Sequence, residues 1–290
     1  MIVNADCIEH LKTVEDNHFD SVVTDPPYHL TSIAKRFTNS TEAKYGKDGS
    51  FQRLSKGFHG HEWDGGDIAF TIDLWKEVYR TIKPGAVLLA FAATRNYHKM
   101  ATAIENSGFE IMDMINWIYG SGFPKRKNLL KPAHEPIVMA RKGINKDLNL
   151  DECRVNGDNP KKWTKPKGGF WTTNPNAKAE YIENTKGRWP ANVIHDGLDE
   201  EWARYFYSAK ASKKEKDGSN HPTVKPVSLM RYLVRLVTPK DGLVLDPFAG
   251  TGTTGEACIL ESRNYYLIEK TKEYISDIEK RINKYDRLGI

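Results

Sequence analysis

The chain reads as an α/β protein with a mostly parallel sheet, helices on both faces and a long inserted region. Three observations predict this. Short apolar runs alternate with helix-length amphipathic segments toward both ends of the chain. Two of those runs end in an acid followed by turn residues, in VVTDPPYHL (22–30) and VLDPFAGTGTTGEAC (244–258). Between them, residues 121–190 hold 15 Lys and Arg against 7 Asp and Glu, with no clean hydrophobic period.

The elements follow in order. Residues 19 and 21–24 form a short buried strand, which Pro26 and Pro27 stop because proline donates nothing to a ladder. Residues 29–66 lack periodicity and read as a long loop, a feature that in compact domains tends to carry function. A helix is expected over 67–82, ended by Lys83, Pro84 and Gly85. The continuous apolar run 86–92 suits a strand buried on both faces. A helix over 96–107 closes at Gly108, and strands follow at 109–119 and 136–140. Residues 141–190, rich in Lys, Asn, Pro, Gly and Trp, read as loops and short elements. A short helix is expected over 200–208, then a polar exposed stretch. The C-terminal part alternates regularly: helix 226–237, strand 243–245, helix 253–260, strand 265–268 and helix 272–287.

Composition narrows the function classes. The 290 residues are 39% hydrophobic, enough for one large α/β domain. Three cysteines, Cys7, Cys153 and Cys258, have no metal-type spacing and suit a reduced cytoplasmic protein. No apolar stretch approaches membrane-span length, and the N-terminus reaches acids too early for a signal peptide. The net charge is +8 over residues 121–190; since the whole chain carries +5, the rest carries −3. A basic segment on a slightly acidic body points to a polyanion-binding lobe or to a solvated lysine-rich loop.

The glycine-containing turn lies at the carboxyl end of a strand, where open α/β sheets bind ligands. Gly250 and Gly252 let the backbone turn tightly, and Glu269 ends the next strand, 17 residues after Gly252. That acid is placed to bond ribose hydroxyls. There is no full GxGxxG and no Walker lysine, so a nucleoside without a pyrophosphate fits better than a dinucleotide or ATP.

DPPY together with DPFAGTGTT resembles the amino-group DNA methyltransferases. DPPY comes first and the glycine motif near the C-terminus, an order that resembles their permuted β class. ADCIEHL, HPTVKP (221–226) and the acid of YYLIEK extend the resemblance over most of the chain. GSGFPK, KPAHEPIVMARK and GRWPANVI look similar to phage and prophage members. The resemblance implies a Rossmann-like methyltransferase sheet, S-adenosylmethionine as cofactor, duplex DNA as substrate, no metal and a setting in restriction-modification. Residues 1–119 and 211–290 would form the catalytic domain. Residues 120–210 would be the target-recognition insertion, including end strands of the sheet. Relatives of this class often pair as homodimers.

The resemblance assigns roles by residue. The adenine amine is a poor nucleophile because its lone pair is delocalised into the ring. The Asp25 carboxylate would accept one amino hydrogen and the Pro26 carbonyl the other, with Pro27 helping to fix the backbone. Tyr28 would stack on the extruded base. Asp246, Phe248, Gly250, Thr251, Gly252 and Thr253 would wrap the methionine part of the cofactor, with Asp25 beside them. Glu269, followed by Lys270, would hold the ribose, and Asp6, with Cys7, the adenine amine. Thr223 and Lys225 would close over the methionine end. Asp6 also suits a helix N-cap, while Glu269 and Lys225 also suit plain surface positions. Lys125, Arg126 and Lys127 would contact the DNA backbone. Trp163, Trp171 and Trp189 are read as wedges or, for at least two of them, as the small core of the insert. His59 and His61 lack a Cys or His partner and make a poor metal site; with Trp63 they lie on the loop that would act as a lid. Asp25 favours adenine N6 over the alternative, cytosine N4. A catalytically silent DNA-binding protein is the alternative of another class, opposed by the presence of both complete motifs.

Overall fold

The computed structural model describes residues 1–28, 67–119, 130, 133–144, 147–155, 162–163, 181–182, 187, 189–195 and 224–286. The loop 29–66 with His59, His61 and Trp63 lies outside them. So do Trp171, the helix expected over 200–208, and the candidates Lys125, Arg126, Lys127 and Thr223.

The described elements run β1 (Ile2–Asn4), α1 (Cys7–Leu11), β2 (Phe19–Thr24), α2 (Ile72–Thr81), β3 (Ile82–Phe91), α3 (Tyr97–Asn106), β4 (Glu110–Ile118) and β5 (His134–Arg141). There follow β6 (Lys162–Trp163), β7 (Tyr181–Ile182), β8 (Val193–His195), α4 (Val227–Val237), β9 (Leu243–Asp246), α5 (Thr253–Leu260), β10 (Asn264–Glu269) and α6 (Lys272–Asp286). Eight strands make one sheet in the order β1-β10-β9-β2-β3-β5-β4-β8, and β6 pairs with β7 apart from it. The first five strands of that order are mutually parallel. β5 runs antiparallel to both β3 and β4, so the sheet is mixed at this end. The stretch 120–210 therefore supplies one interior strand, β5, as well as the edge strand β8.

Alternation in the strands divides the core between two faces. Val22, Leu88, Ala90, Val138, Ala140, Leu245 and Ile268 meet Leu11, Leu74, Trp75, Val78, Met100 and Ile104 from α1, α2 and α3. Their neighbours Val23, Val87, Leu89, Phe91, Ile137, Met139 and Val244 meet Leu229, Met230, Leu233 and Val234 of α4 and Ala257 and Cys258 of α5. Each of the buried Val, Leu, Ile, Phe and Met side chains contributes roughly 1.5–3 kcal/mol on burial. The apolar run of β3 is buried from Ala86 to Phe91 because both faces are covered.

Two charged clamps fix the helices that carry the glycine turn. Arg231 and Arg235 of α4 both bond Glu261, just beyond α5. On the other side Glu256 of α5 accepts from Arg281, Lys284 and Tyr285 of α6. The Glu256–Arg281 pair is almost fully buried, so losing either partner would strand a charge.

Candidate active site

The parallel strands β1, β10, β9 and β2 end at one edge of the sheet, which brings four acids together: Asp6, Glu269, Asp246 and Asp25. Asp25 and Asp246 are far apart in sequence but sit at the tips of neighbouring strands. A hydrogen bond ties the two motifs directly: the hydroxyl of Thr24 donates to Asp246 Oδ1 at 2.7 Å.

Asp246 is turned inward. Its Oδ1 also accepts from the Phe248 amide at 3.1 Å, and its Oδ2 accepts from the Thr254 hydroxyl. Only 2% of the residue is exposed, and burial pushes its pKa up to about 6 against the pull of those donors. Asp246 thus braces the turn between β9 and α5. Gly250 and Gly252 both hold left-handed backbone, at φ 53° and 80°. The need for glycine at 252 is double, since a Cβ there would meet Ile278 of α6 at 3.0 Å. Thr251 and Thr253 are buried, and the Thr251 carbonyl accepts from Arg281.

Glu269 faces this turn. Its Oε2 accepts from the Gly250 amide at 2.9 Å and its Oε1 from the Thr271 amide at 2.7 Å. Burial raises its pKa against those two amides. Asp6 does cap α1, accepting from the Ile8 amide at 3.1 Å, while its other oxygen takes Lys270 Nζ, also at 3.1 Å. Lys270 is otherwise exposed. Cys7 was expected beside the cofactor, but its side chain packs in the core and burial pushes the thiol up to about 12.

The second group surrounds Asp25. Its Oδ2 accepts from Lys225 Nζ at 2.5 Å, whereas its Oδ1 is buried with no hydrogen-bond partner. Lys225 also donates to the Tyr28 hydroxyl at 3.2 Å and pairs with Glu135 Oε2 at 3.3 Å. The Tyr28 hydroxyl donates to that same Glu135 oxygen at 3.1 Å. The Asn96 amide group donates to the Tyr28 carbonyl at 2.8 Å and so anchors the end of DPPY. Pro26 is buried beside it. Burial raises the pKa of Asp25, Glu135 raises it further, and the Lys225 ammonium opposes both. Burial also works against the charge of Lys225, but Asp25 and Glu135 outweigh it and hold its pKa above the ordinary lysine value.

Lys225 was expected at the methionine end of the cofactor. In the structure its ammonium is directed at Asp25, Tyr28 and Glu135, so it sits in the acid cluster at the tip of β2. Glu135 was missed by the sequence reading. The one signal for it was its place in KPAHEPIVMARK, a stretch noted without a role. Trp189, from the insert, is 60% exposed with the Arg154 guanidinium 5.2 Å over its ring. It is therefore not core. Among the described residues no group of three or more His, Cys, Asp or Glu could hold a metal ion. No described helix is long and apolar enough to cross a membrane.

Comparison with known proteins places this site in context. Residues 19–280 match the family described as DNA methylase. The type II methyltransferase M.HindIII of Haemophilus influenzae is 28% identical over 291 residues, covering 93% of this chain and 90% of the relative. M2.MboI of Moraxella bovis, also a type II methyltransferase, is 26% identical over 294 residues, covering 98% and 87%. Among solved structures, the M1.HpyAVI complex with SAM superposes with a TM-score of 0.57 at 20% identity, covering 98% of each chain. PvuII DNA methyltransferase, described as cytosine-N4-specific, gives 0.61 at 16% identity, covering 97% of this chain and 85% of that one. These two show the fold alone.

Proposed function

Given that this chain belongs to the DNA methylase family, we propose that it is a β-class DNA methyltransferase that moves the methyl group of S-adenosylmethionine to N6 of a flipped adenine in duplex DNA. The observation that carries the reading is the bare, buried Oδ1 of Asp25 at the tip of β2. An unpaired buried carboxylate oxygen is costly unless a ligand donates to it, and an exocyclic amine is such a donor.

The cofactor site fits. When bound, S-adenosylmethionine supplies an electrophilic methyl group. Glu269 at the tip of β10 suits the ribose hydroxyls, because the Gly250 and Thr271 amides hold its carboxylate in place beside the glycine turn. The Gly250–Gly252 turn allows close backbone approach, and Phe248, partly buried beside it, offers an apolar surface. Asp246 shapes this turn rather than gripping the ligand. Asp6 and Lys270 flank the outer end.

Asp25 Oδ1 accepts an amino hydrogen and draws the nitrogen lone pair out of conjugation. The N–C bond forms as the methyl's bond to sulfur breaks, and the positive charge arriving on nitrogen faces this acidic pocket, which lowers the barrier electrostatically. The amine then sheds its proton by way of Asp25 to solvent. The Tyr28 ring provides the stacking face. The basic insert, with Lys125, Arg126 and Lys127, neutralises phosphates. DNA methylation of this kind serves restriction-modification, and the resemblance to phage proteins also allows a role in evading restriction.

The test uses purified protein, tritiated S-adenosylmethionine and mixed-sequence duplex DNA, followed by digestion and identification of the labelled nucleoside. N6-methyladenine is the expected product. N4-methylcytosine would overturn the base assignment, and unlabelled DNA would overturn the reading. Asp25→Asn presents an amide in place of the carboxylate, and the labelling rate should fall by about 10²–10³-fold with cofactor affinity by calorimetry little changed.

A further inference from the structure

The Asp25 cluster contains one group that methyl transfer does not obviously require. Glu135, the second residue of β5 and 21% exposed at its side chain, reaches across to Lys225 and Tyr28. Its presence cannot be explained as a means of keeping Asp25 ionised, because a second carboxylate works against that. Nor is Lys225 short of a counterion, since Asp25 alone would pair with it. What Glu135 adds is geometry. Lys225 is held from three sides, by Asp25, Glu135 and the Tyr28 hydroxyl, and lies 4.7 Å over the Phe91 ring. An ammonium on a flexible stem becomes a fixed point once its three donors are spent.

We propose that Glu135 is a positioning residue: through Lys225 and the Tyr28 hydroxyl it fixes the Asp25 carboxylate, so that Oδ2 is tied down and Oδ1 alone is presented to the target amine, and it sets the angle of the Tyr28 ring beside it. This rests on the reading that the site methylates a flipped base. A second consequence is electrostatic. Asp25, Glu135 and Lys225 together carry a formal charge of about −1, matching the positive charge that arrives on the amine. Without Glu135 the cluster would be formally neutral, and Lys225 would be free to swing over both oxygens of Asp25.

Full-length wild type, Glu135→Gln and Glu135→Asp are compared by three measurements. These are kcat and KM in the tritium assay, cofactor affinity by calorimetry, and fluorescence of DNA carrying 2-aminopurine at the mapped target base. Glu135→Gln should lower kcat on the order of ten-fold or more, leave the cofactor Kd within about two-fold, and alter the 2-aminopurine signal because the Tyr28 ring is no longer held. Glu135→Asp, which keeps the charge, should recover part of kcat. A Gln variant with wild-type kcat overturns the proposal, as does a loss confined to cofactor binding. Should Glu135→Gln not fold, Tyr28→Phe decides, since it removes one link of the cluster but keeps the ring; an unchanged kcat there overturns the proposal. A wild type that labels no DNA overturns both this inference and the function it rests on, whereas an active wild type with an equally active Glu135→Gln overturns this inference alone.

Discussion

Replacing Gly252 by alanine tests whether the glycine turn is shaped by backbone conformation, by helix packing, or by both. Gly252 has φ 80°, a left-handed conformation that costs an L-residue roughly 1–2 kcal/mol. A Cβ would also sit 3.0 Å from Ile278 Cγ2, 3.2 Å from its Cγ1 and 3.3 Å from its Cα. The last contact is to backbone, so a rotamer change does not relieve it, and overpacking of this kind costs about 1–3 kcal/mol. The two effects together come to about 2–5 kcal/mol. At roughly 2 °C per kcal/mol for a chain of this size, Tm should fall by about 4–10 °C. Gly143→Ala is the control. Its φ is 61°, but nothing lies within 4 Å of the added Cβ, so it pays the strain alone. Thermal melts of the two variants by circular dichroism separate the contributions. Equal shifts would refute the packing argument and leave Ile278 with no part in the choice of glycine. Cofactor affinity, measured by calorimetry on folded Gly252→Ala, should also weaken because Gly252 is the N-cap that leads the turn into α5.

Two further outcomes follow from buried groups. The folded pKa of Asp246, about 6, lies above the ordinary 3.8, so the native state holds this proton more tightly than the unfolded chain does. Its contribution to stability is complete below pH 3.8 and is lost as pH rises through 6. Asp246→Asn lacks that titration, so between those two pH values its stability relative to wild type should improve by about 3 kcal/mol; parallel urea curves would contradict this. Cys7, Cys153 and Cys258 are all buried, with the first two thiols pushed up to about 12 and 11. A thiol reagent at pH 8 should therefore label none of them within minutes in the native protein and all three after unfolding. Rapid native labelling of one would show that its burial is wrong.

Much of the fold was legible because its signals are local. The run from Ala86 to Phe91 could only be a strand covered on both sides, and α5 begins and ends where the sequence reading placed it. The helix expected over 67–82 splits into a single 3-10 turn, Ile68–Phe70, and α2. The reason is that Trp75 Nε1 donates back to the Ala69 carbonyl and the Thr71 hydroxyl to that of Ile68, which propensity does not report. The reversed direction of β5 was not legible at all. Strand order depends on pairings between distant segments, and an apolar run carries no arrow.

The candidate site divides the same way. Sequence by itself determined the residue types at the strand tips: an acid and two prolines that end β2, glycines that permit φ values of 53° and 80°, and an acid that ends β10. Each follows from the chemistry of one residue and its immediate neighbours. Only the tertiary structure decided how those groups are occupied. It turned Asp246 into the hydroxyls of Thr24 and Thr254, moved Lys225 onto Asp25, brought in Glu135, and left one oxygen of Asp25 bare. Those partners lie up to 222 residues apart along the chain. Hydrogen-bond occupancy at such distances is set by which strands become neighbours, and that is a property of the folded sheet.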